Sequence, residues 1–289
     1  MIKFAILTDS GANTPSEFIA QYPVYVAPLS VIFKDGAYRD NIDITADEVV
    51  QRFDEEIPST SLPTVAEIHD KLCEIRADGY ESVMIVTISS GLSGTMSAMK
   101  TAAKDFPDMN FSFVDSLNIG IACGMVVAYA AKLSGMGLSL EEATPKVQDI
   151  TGNTKVFFCI PTLSFLRKGG RIGLVAGFVG TALGLRPIIT CNSEGIYDTI
   201  QRARGWTRAV DMALEMAVSF RNGIQNFNIA VAHSRASEEA KTIMHRLKSQ
   251  LPEYRNAFMS TISPALTVHT GPGLIGIGLQ RLPDPIERC

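Results

Sequence analysis

The run Val83-Met84-Ile85-Val86-Thr87-Ile88-Ser89-Ser90-Gly91-Leu92-Ser93-Gly94-Thr95 decides how this 289-residue chain is read. Its first half is continuously apolar and rich in β-branched residues, the pattern of a strand buried on both faces. Its second half is serine and glycine, and the stretch 95–105 that follows has amphipathic helical spacing. A buried strand turning sharply into a helix is the repeating unit of a parallel α/β sheet. The small residues let backbone N–H groups approach a ligand, and the helix start adds unpaired donors and partial positive charge. Such a turn can hold a carboxylate or a phosphate. The same string serves equally as an ordinary N-cap whose serines satisfy the backbone, and both readings stay open at this point.

Working outward, further buried strands are expected at 4–8, 24–33 and 111–115, separated mostly by helical patterns at 68–77, 119–134 and 140–151. The alternation predicts a parallel sheet covered by helices on both faces. Polar residues follow the strands: Thr8-Asp9-Ser10, Ser89-Ser90 and Asp115-Ser116. In open α/β sheets ligands bind beyond the carboxyl ends of the strands. From about residue 153 the pattern changes. A strand at 156–160 and a glycine-rich helical region to 184 precede two strands, 187–191 and 196–203, that flank the hairpin turn Asn192-Ser193-Glu194-Gly195. A helix at 207–220, a strand at 227–232, a helix at 237–251 and strands near 257–262 and 274–279 follow. The expected fold class is α/β: a parallel-sheet domain over 1–153 and a smaller α+β domain with a mixed sheet over 154–289.

With 46% hydrophobic and 19% charged residues, the chain can bury a sizeable core, and its length suits two modest domains. A net charge of -4 gives no bulk attraction to nucleic acid. The cysteines at 73, 123, 159, 191 and 289 are odd in number and form no CxxC pair, as expected of reduced thiols in a cytoplasmic protein. The segment before Asp9 is too short for a signal sequence, and the most apolar stretch, 119–131, falls short of the ~18 residues that a spanning helix needs. His69 and Cys73 share a helical face without further ligands, so no metal or cofactor is expected.

Three more strings carry candidate chemistry. Ser59-Thr60-Ser61-Leu62-Pro63-Thr64 reads locally as a loop that caps a helix. Leu166-Arg167-Lys168-Gly169-Gly170-Arg171-Ile172-Gly173 is a basic corner, suited to an anionic headgroup or an acidic partner, and equally to a solvated helix C-terminus. Arg202, Arg204 and Arg208 form a second basic run that also reads as a charged face. Val268-His269-Thr270-Gly271-Pro272-Gly273-Leu274-Ile275-Gly276 contains GxGxxG, but no helix opens there and the chain ends too soon for the acidic partner of a dinucleotide site. It reads as a tight turn that delivers His269 and Thr270. Ser97-Ala98-Met99-Lys100 fits S-x-x-K, yet the companion S-D-N is absent and Ser97 falls inside a helix.

Thr8-Asp9-Ser10, Thr60-Ser61-Leu62-Pro63-Thr64, Ser89-Ser90-Gly91-Leu92-Ser93-Gly94-Thr95, Lys168-Gly169-Gly170-Arg171-Ile172 and His269-Thr270-Gly271-Pro272-Gly273, in this order, resemble the DegV family along essentially the whole chain. The departure is Leu62, where the family usually has Gln. The resemblance implies a Rossmann-like domain, a smaller mixed-sheet domain and a ligand tunnel between them that holds one long-chain fatty acid. It implies a binding subunit rather than an enzyme, whose partner is a bacterial fatty acid kinase that phosphorylates the bound carboxylate for phospholipid synthesis. It places Thr60, Ser61, Ser89, Ser90, His269 and Thr270 around the carboxylate, and Arg171 and Arg202 near the exit, facing phosphate or kinase. Transient contact with a membrane surface is a further expectation.

Neutral donors stabilise a carboxylate without locking it to a fixed cation. Burying roughly 14 methylenes at about 0.8 kcal/mol each contributes on the order of 11 kcal/mol before ordering costs, so the tail sets retention and the head sets orientation. Candidate tunnel walls are Met125, Phe157, Phe158, Phe178, Val179 and Leu183. The competing expectations are an enzyme acting on a small anion in the same cleft, and a lipid-transfer or sensing module with no kinase.

Overall fold

Residues 3–178 and 184–283 are described by a computed structural model of the chain. The strands are β1 (Ala5–Asp9), β2 (Val24–Ala27), β3 (Ser30–Phe33), β4 (Gly36–Arg39), β5 (Ser59–Ser61), β6 (Ser82–Thr87), β7 (Asn110–Asp115), β8 (Thr154–Cys159), β9 (Leu185–Cys191), β10 (Tyr197–Arg204), β11 (Phe227–His233), β12 (Ala257–Thr261) and β13 (Ile275–Arg281). The helices are α1 (Ser16–Gln21), α2 (Ala46–Gln51), α3 (Val65–Ala77), α4 (Thr95–Ala102), α5 (Ile121–Gly135), α6 (Leu140–Gly152), α7 (Ser164–Lys168), α8 (Trp206–Phe220), α9 (Ser237–Gln250) and α10 (Pro264–Thr270).

Four strands form a parallel sheet in the order β2-β1-β6-β7. β1 and β6 are buried almost throughout, as their unbroken apolar runs require. Six strands form the second sheet, β10-β9-β8-β13-β11-β12, antiparallel except for the β11–β12 pair. The fold is thus α/β with one parallel and one mixed sheet. α6 ends at Gly152 and β8 begins at Thr154, and the strands on either side of Asn153 join different sheets.

α5 is the shared spine. Twelve of its 15 residues are buried, because it packs between the two sheets and has almost no solvent face. It touches β1 and β6 on one side and β8, β11 and β13 on the other. One apolar core therefore runs from Phe4 and Met84 through Val126 to Phe158 and Ile189.

A third sheet, β4-β3-β5, is an addition to the expected architecture. The apolar run 24–33, expected as one strand, divides at Pro28, which has no N–H for a ladder. β2 joins the parallel sheet, and β3 leaves it to pair with β4 and β5. The N–H of Leu29, freed by the break, donates to Ser10 Oγ at 2.9 Å. Residues 59–61, expected as loop, form β5, while Thr64 caps α3 through a reciprocal bond with Glu67. The hairpin at 192–195 is present, with Gly195 N–H donating to the Asn192 carbonyl at 3.1 Å. Among the described residues no helix is long and apolar enough to cross a membrane.

Candidate functional site

In the parallel sheet the chain moves from β1 to β2 on one side and returns to β6 on the other, so the strand order reverses between β1 and β6. Such reversals leave a crevice beyond the strand ends. Here β5 and α10 border it, making a cleft whose polar lining is Thr60, Ser61, Ser93, Arg171 and His269, with Tyr197 on its wall.

α10 carries His269, and its N-terminus is fixed by residues after β1. Ser10 Oγ donates to Asp40 Oδ2 at 2.6 Å, and Asp40 Oδ1 accepts the Ala265 N–H at 2.9 Å. Asn13 donates to the Thr261 carbonyl at 3.2 Å and accepts the Ser263 N–H at 3.3 Å. Ser263 caps the helix and Pro264 occupies its first turn. The Thr8-Asp9-Ser10 string thus serves the site from behind. Asp9 itself is buried and accepts the Ile88 N–H at 3.0 Å. Burial pushes its carboxyl up to about 7, with Asp40 nearby adding to the effect.

His269 lies on helix α10, where the sequence had suggested a turn. The apolar string 264–268 and the Ser-Pro start make the helix, and Gly271 ends it with φ 72°. Thr60 Oγ1 and His269 Nε2 share a hydrogen bond of 2.7 Å. Nδ1 is buried without a partner. Gly169 packs directly on the imidazole, and a methyl group there would overlap Nδ1. Burial, then the nearby Arg171 guanidinium, pull the histidine down to about 4, so the ring is neutral near pH 7. Arg171 donates to the Gly169 carbonyl at 2.8 Å and to the Leu92 carbonyl at 3.4 Å, joining the basic corner to the serine turn.

Thr60, Ser61, His269 and Arg171 therefore meet in one cleft, and the other candidates stand apart. Ser89 is fully buried, its Oγ accepts the Gly91 N–H at 3.1 Å, and it packs against Gly195 of the hairpin turn. Ser90 is exposed, and its N–H donates to Asp115. Of the two readings left open for the serine turn, the amides follow the internal one: Ser89 N–H donates to the Asn118 carbonyl, and Leu92 and Ser93 donate to the Ser89 carbonyl. The loop's contribution to the cleft is instead the Ser93 side chain, which nothing in the local string distinguished from Ser89 and Ser90. Arg202 lies on an exposed face of β10 outside the cleft lining. Leu62 sits at the rim.

A second chamber adjoins the cleft, and the two share Ile119, Tyr197 and Leu266. Its walls are almost wholly apolar, with Phe158 set edge-on to Tyr197 at 5.2 Å between ring centroids. Thr270 lines this chamber and not the cleft, its hydroxyl donating to the Leu266 carbonyl at 3.0 Å. Of the candidate walls, Phe158 faces the chamber, whereas Phe157, its neighbour on β8, packs on the opposite face of the sheet against Phe220. Val179, Leu183 and the side chain of Phe178 lie outside the described residues. His69 Nδ1 and Cys73 Sγ are 3.6 Å apart, and no cluster of three metal-ligating side chains occurs among the described residues.

A polar cleft lined by hydroxyls, an imidazole and a guanidinium, set against an almost wholly apolar chamber, gives this α/β protein two adjoining cavities of opposite character. The chain belongs to the DegV family: the family model described as an uncharacterised protein of the DegV family matches residues 3–282. A DegV domain-containing protein of Clostridium acetobutylicum is 33% identical over 96% of this chain and 99% of its own. A fatty-acid-binding DegV family protein from Thermus thermophilus superposes with a TM-score of 0.91 at 28% identity, over 97% of this chain and 100% of its own. A stearic-acid-binding protein from Eubacterium ventriosum gives a TM-score of 0.86 at 29% identity, over 96% and 98% of the two chains.

Proposed function

We propose that this chain binds one long-chain fatty acid, with its carboxylate at Thr60, Ser93 and His269 and its tail in the chamber behind Tyr197, and offers that carboxylate to a cytoplasmic fatty acid kinase. The observation that carries the reading is a hydroxyl- and imidazole-lined cleft that shares a wall with an apolar chamber. With its proton on Nε2, the neutral imidazole donates to Thr60, and the threonine hydroxyl is then available to donate to the acid. A carboxylate held by hydroxyls keeps more of its nucleophilicity than one locked in a bidentate arginine pair. In this reading the Arg171 guanidinium, which lines the cleft, meets the phosphate or the kinase.

Leu62, which borders the cleft, is exposed by 36%, and Arg167 and Lys168 of the basic corner are exposed as well. Exposed cations of this kind suit an acidic partner surface or passing contact with an anionic membrane.

The test is denaturing extraction of purified protein followed by mass spectrometry, then incubation of the loaded protein with kinase and ATP. One fatty acid per chain and formation of acyl phosphate are expected. An empty extract with no uptake of added acid would favour an enzyme acting on a small anion in the cleft. Bound lipid without acyl phosphate would favour a transfer or sensing module.

A further inference from the structure

On β13, residues Gly276, Gly278 and Gln280 alternate on the face turned to α5, while Ile275, Ile277 and Leu279 pack into the core on the other side. Gly276 lines the chamber. At Gly278, the next position along the same face, the space that a side chain would fill is taken by Met125, whose Cε lies 3.1 Å from where a Cβ would stand. The opposite wall advances in step. Ile121 of α5 lines the chamber, and Met125 is one helical turn further on the same face. Met125 is fully buried, and its long flexible thioether fills the space beside a strand glycine.

Beyond Met125 the wall becomes polar. Gln280 is fully buried; its Nε2 donates to Thr154 Oγ1 at 3.1 Å, and its Oε1 accepts from Asn228 Nδ2 at 2.9 Å. Asn228 also lines an open groove on the far side, with Ala128, Lys132 and Leu282. An alkyl chain threading from the chamber to that groove would have to break a satisfied buried amide network, which is costly.

We infer that Met125, seated in the gap left by Gly278 and backed by Gln280, sets the maximum length of the acyl chain this protein accepts. The inference rests on the fatty-acid reading above and assigns its length specificity to one side chain. A flexible methionine makes the limit a soft one, able to give by small rotamer changes. The amide network behind it is the hard stop.

The test loads wild type, Met125→Ala and Gly276→Ala from an equimolar ladder of straight-chain saturated acids, laurate to behenate, and quantifies what each releases. Met125→Ala removes three heavy atoms from the chamber's end and is expected to move the preferred acid longer by about two carbons. Gly276→Ala adds a methyl facing Val156 Cγ2 at 3.3 Å and Phe158 Cβ at 3.5 Å. It is expected to move the preference shorter, lowering uptake of the longest acids about fourfold per methylene displaced. If Met125→Ala does not fold, Met125→Leu, one atom shorter at nearly constant volume, replaces it with a smaller shift in the same direction. Variants that carry one acid per chain with the wild-type length profile would overturn the inference while leaving the fatty-acid reading intact. A wild-type protein that takes up no acid from the ladder would overturn both.

Discussion

Thr60 Oγ1 and His269 Nε2 lie 2.7 Å apart across 209 positions of sequence, and their bond ties the three-stranded sheet to α10 at the mouth of the cleft. Thr60→Val keeps the shape and removes the hydroxyl. It leaves both imidazole nitrogens buried without partners, since Nδ1 already has none. Stability is expected to fall by about 1–2 kcal/mol and fatty-acid affinity by roughly 5- to 30-fold. Chemical denaturation and displacement of a fluorescent fatty acid measure the two separately. Unchanged affinity would remove Thr60 from the head site.

Gly169 should be intolerant of the smallest side chain. In Gly169→Ala the new methyl overlaps His269 Nδ1, so the ring must turn away from Thr60. At least a tenfold loss of affinity is expected, in line with about 1.4 kcal/mol or more of misplaced head-group contact. Gly177→Ala is the control, because a Cβ there meets nothing within 4 Å. Equal binding by the two variants would contradict the packing role of Gly169.

Arg171→Met should separate retention from transfer. The tail chamber is untouched, so extracted lipid should remain near one per chain, while acyl-phosphate formation with kinase and ATP should fall at least tenfold, the scale expected for losing one charge-assisted contact. The histidine pKa should also rise from about 4, because one of the two causes holding it down is removed. Titration of the imidazole by NMR reads this without any kinase.

Two buried groups should pull stability in opposite directions with pH. Asp9 sits at about 7, above its ordinary 3.8, so its contribution is complete below about 4 and is lost as pH rises through 7. His269 sits at about 4, below its ordinary 6.5, so its contribution is complete above 6.5 and is lost as pH falls through 4. Between about 4 and 6.5 the two slopes, each up to about 1.4 kcal/mol per pH unit, oppose each other. Relative to wild type, Asp9→Asn should lose thermal stability on acidification through this window, and His269→Gln should gain it. Parallel profiles for all three proteins would show that neither group titrates there.

Much of the fold was written locally. The buried strand before Ser89, the hairpin turn at Asn192 and the cap at Thr64 each depend on residues a few positions apart, and each is found where the pattern put it. The departures come from long-range partners. Pro28 gave no local hint that β3 would find Ser61 and Arg39 as neighbours. Ser89, Ser90 and Ser93 look alike in the string, and only the packing of the hairpin turn onto the loop separates the buried one from the one that lines the cleft. His269 read as a turn residue because the glycines after it are conspicuous, whereas the helix before it is held by Asp40 and Asn13, each more than 200 positions away.

The placement of α5 bears on how such chains are inherited. The helix is fitted on one side to the backbone after β1, where a Cβ at Gly124 would come within 2.7 Å of the Ala12 carbonyl, and on the other to the glycine face of β13 through Met125. A chimera spliced between two relatives near residue 153 would carry a spine cut for one second half and docked on another. Recombination at the visible change of sheet therefore disturbs this packing, and the halves are expected to diverge as one lineage, with compensating changes on α5 and β13 arising together.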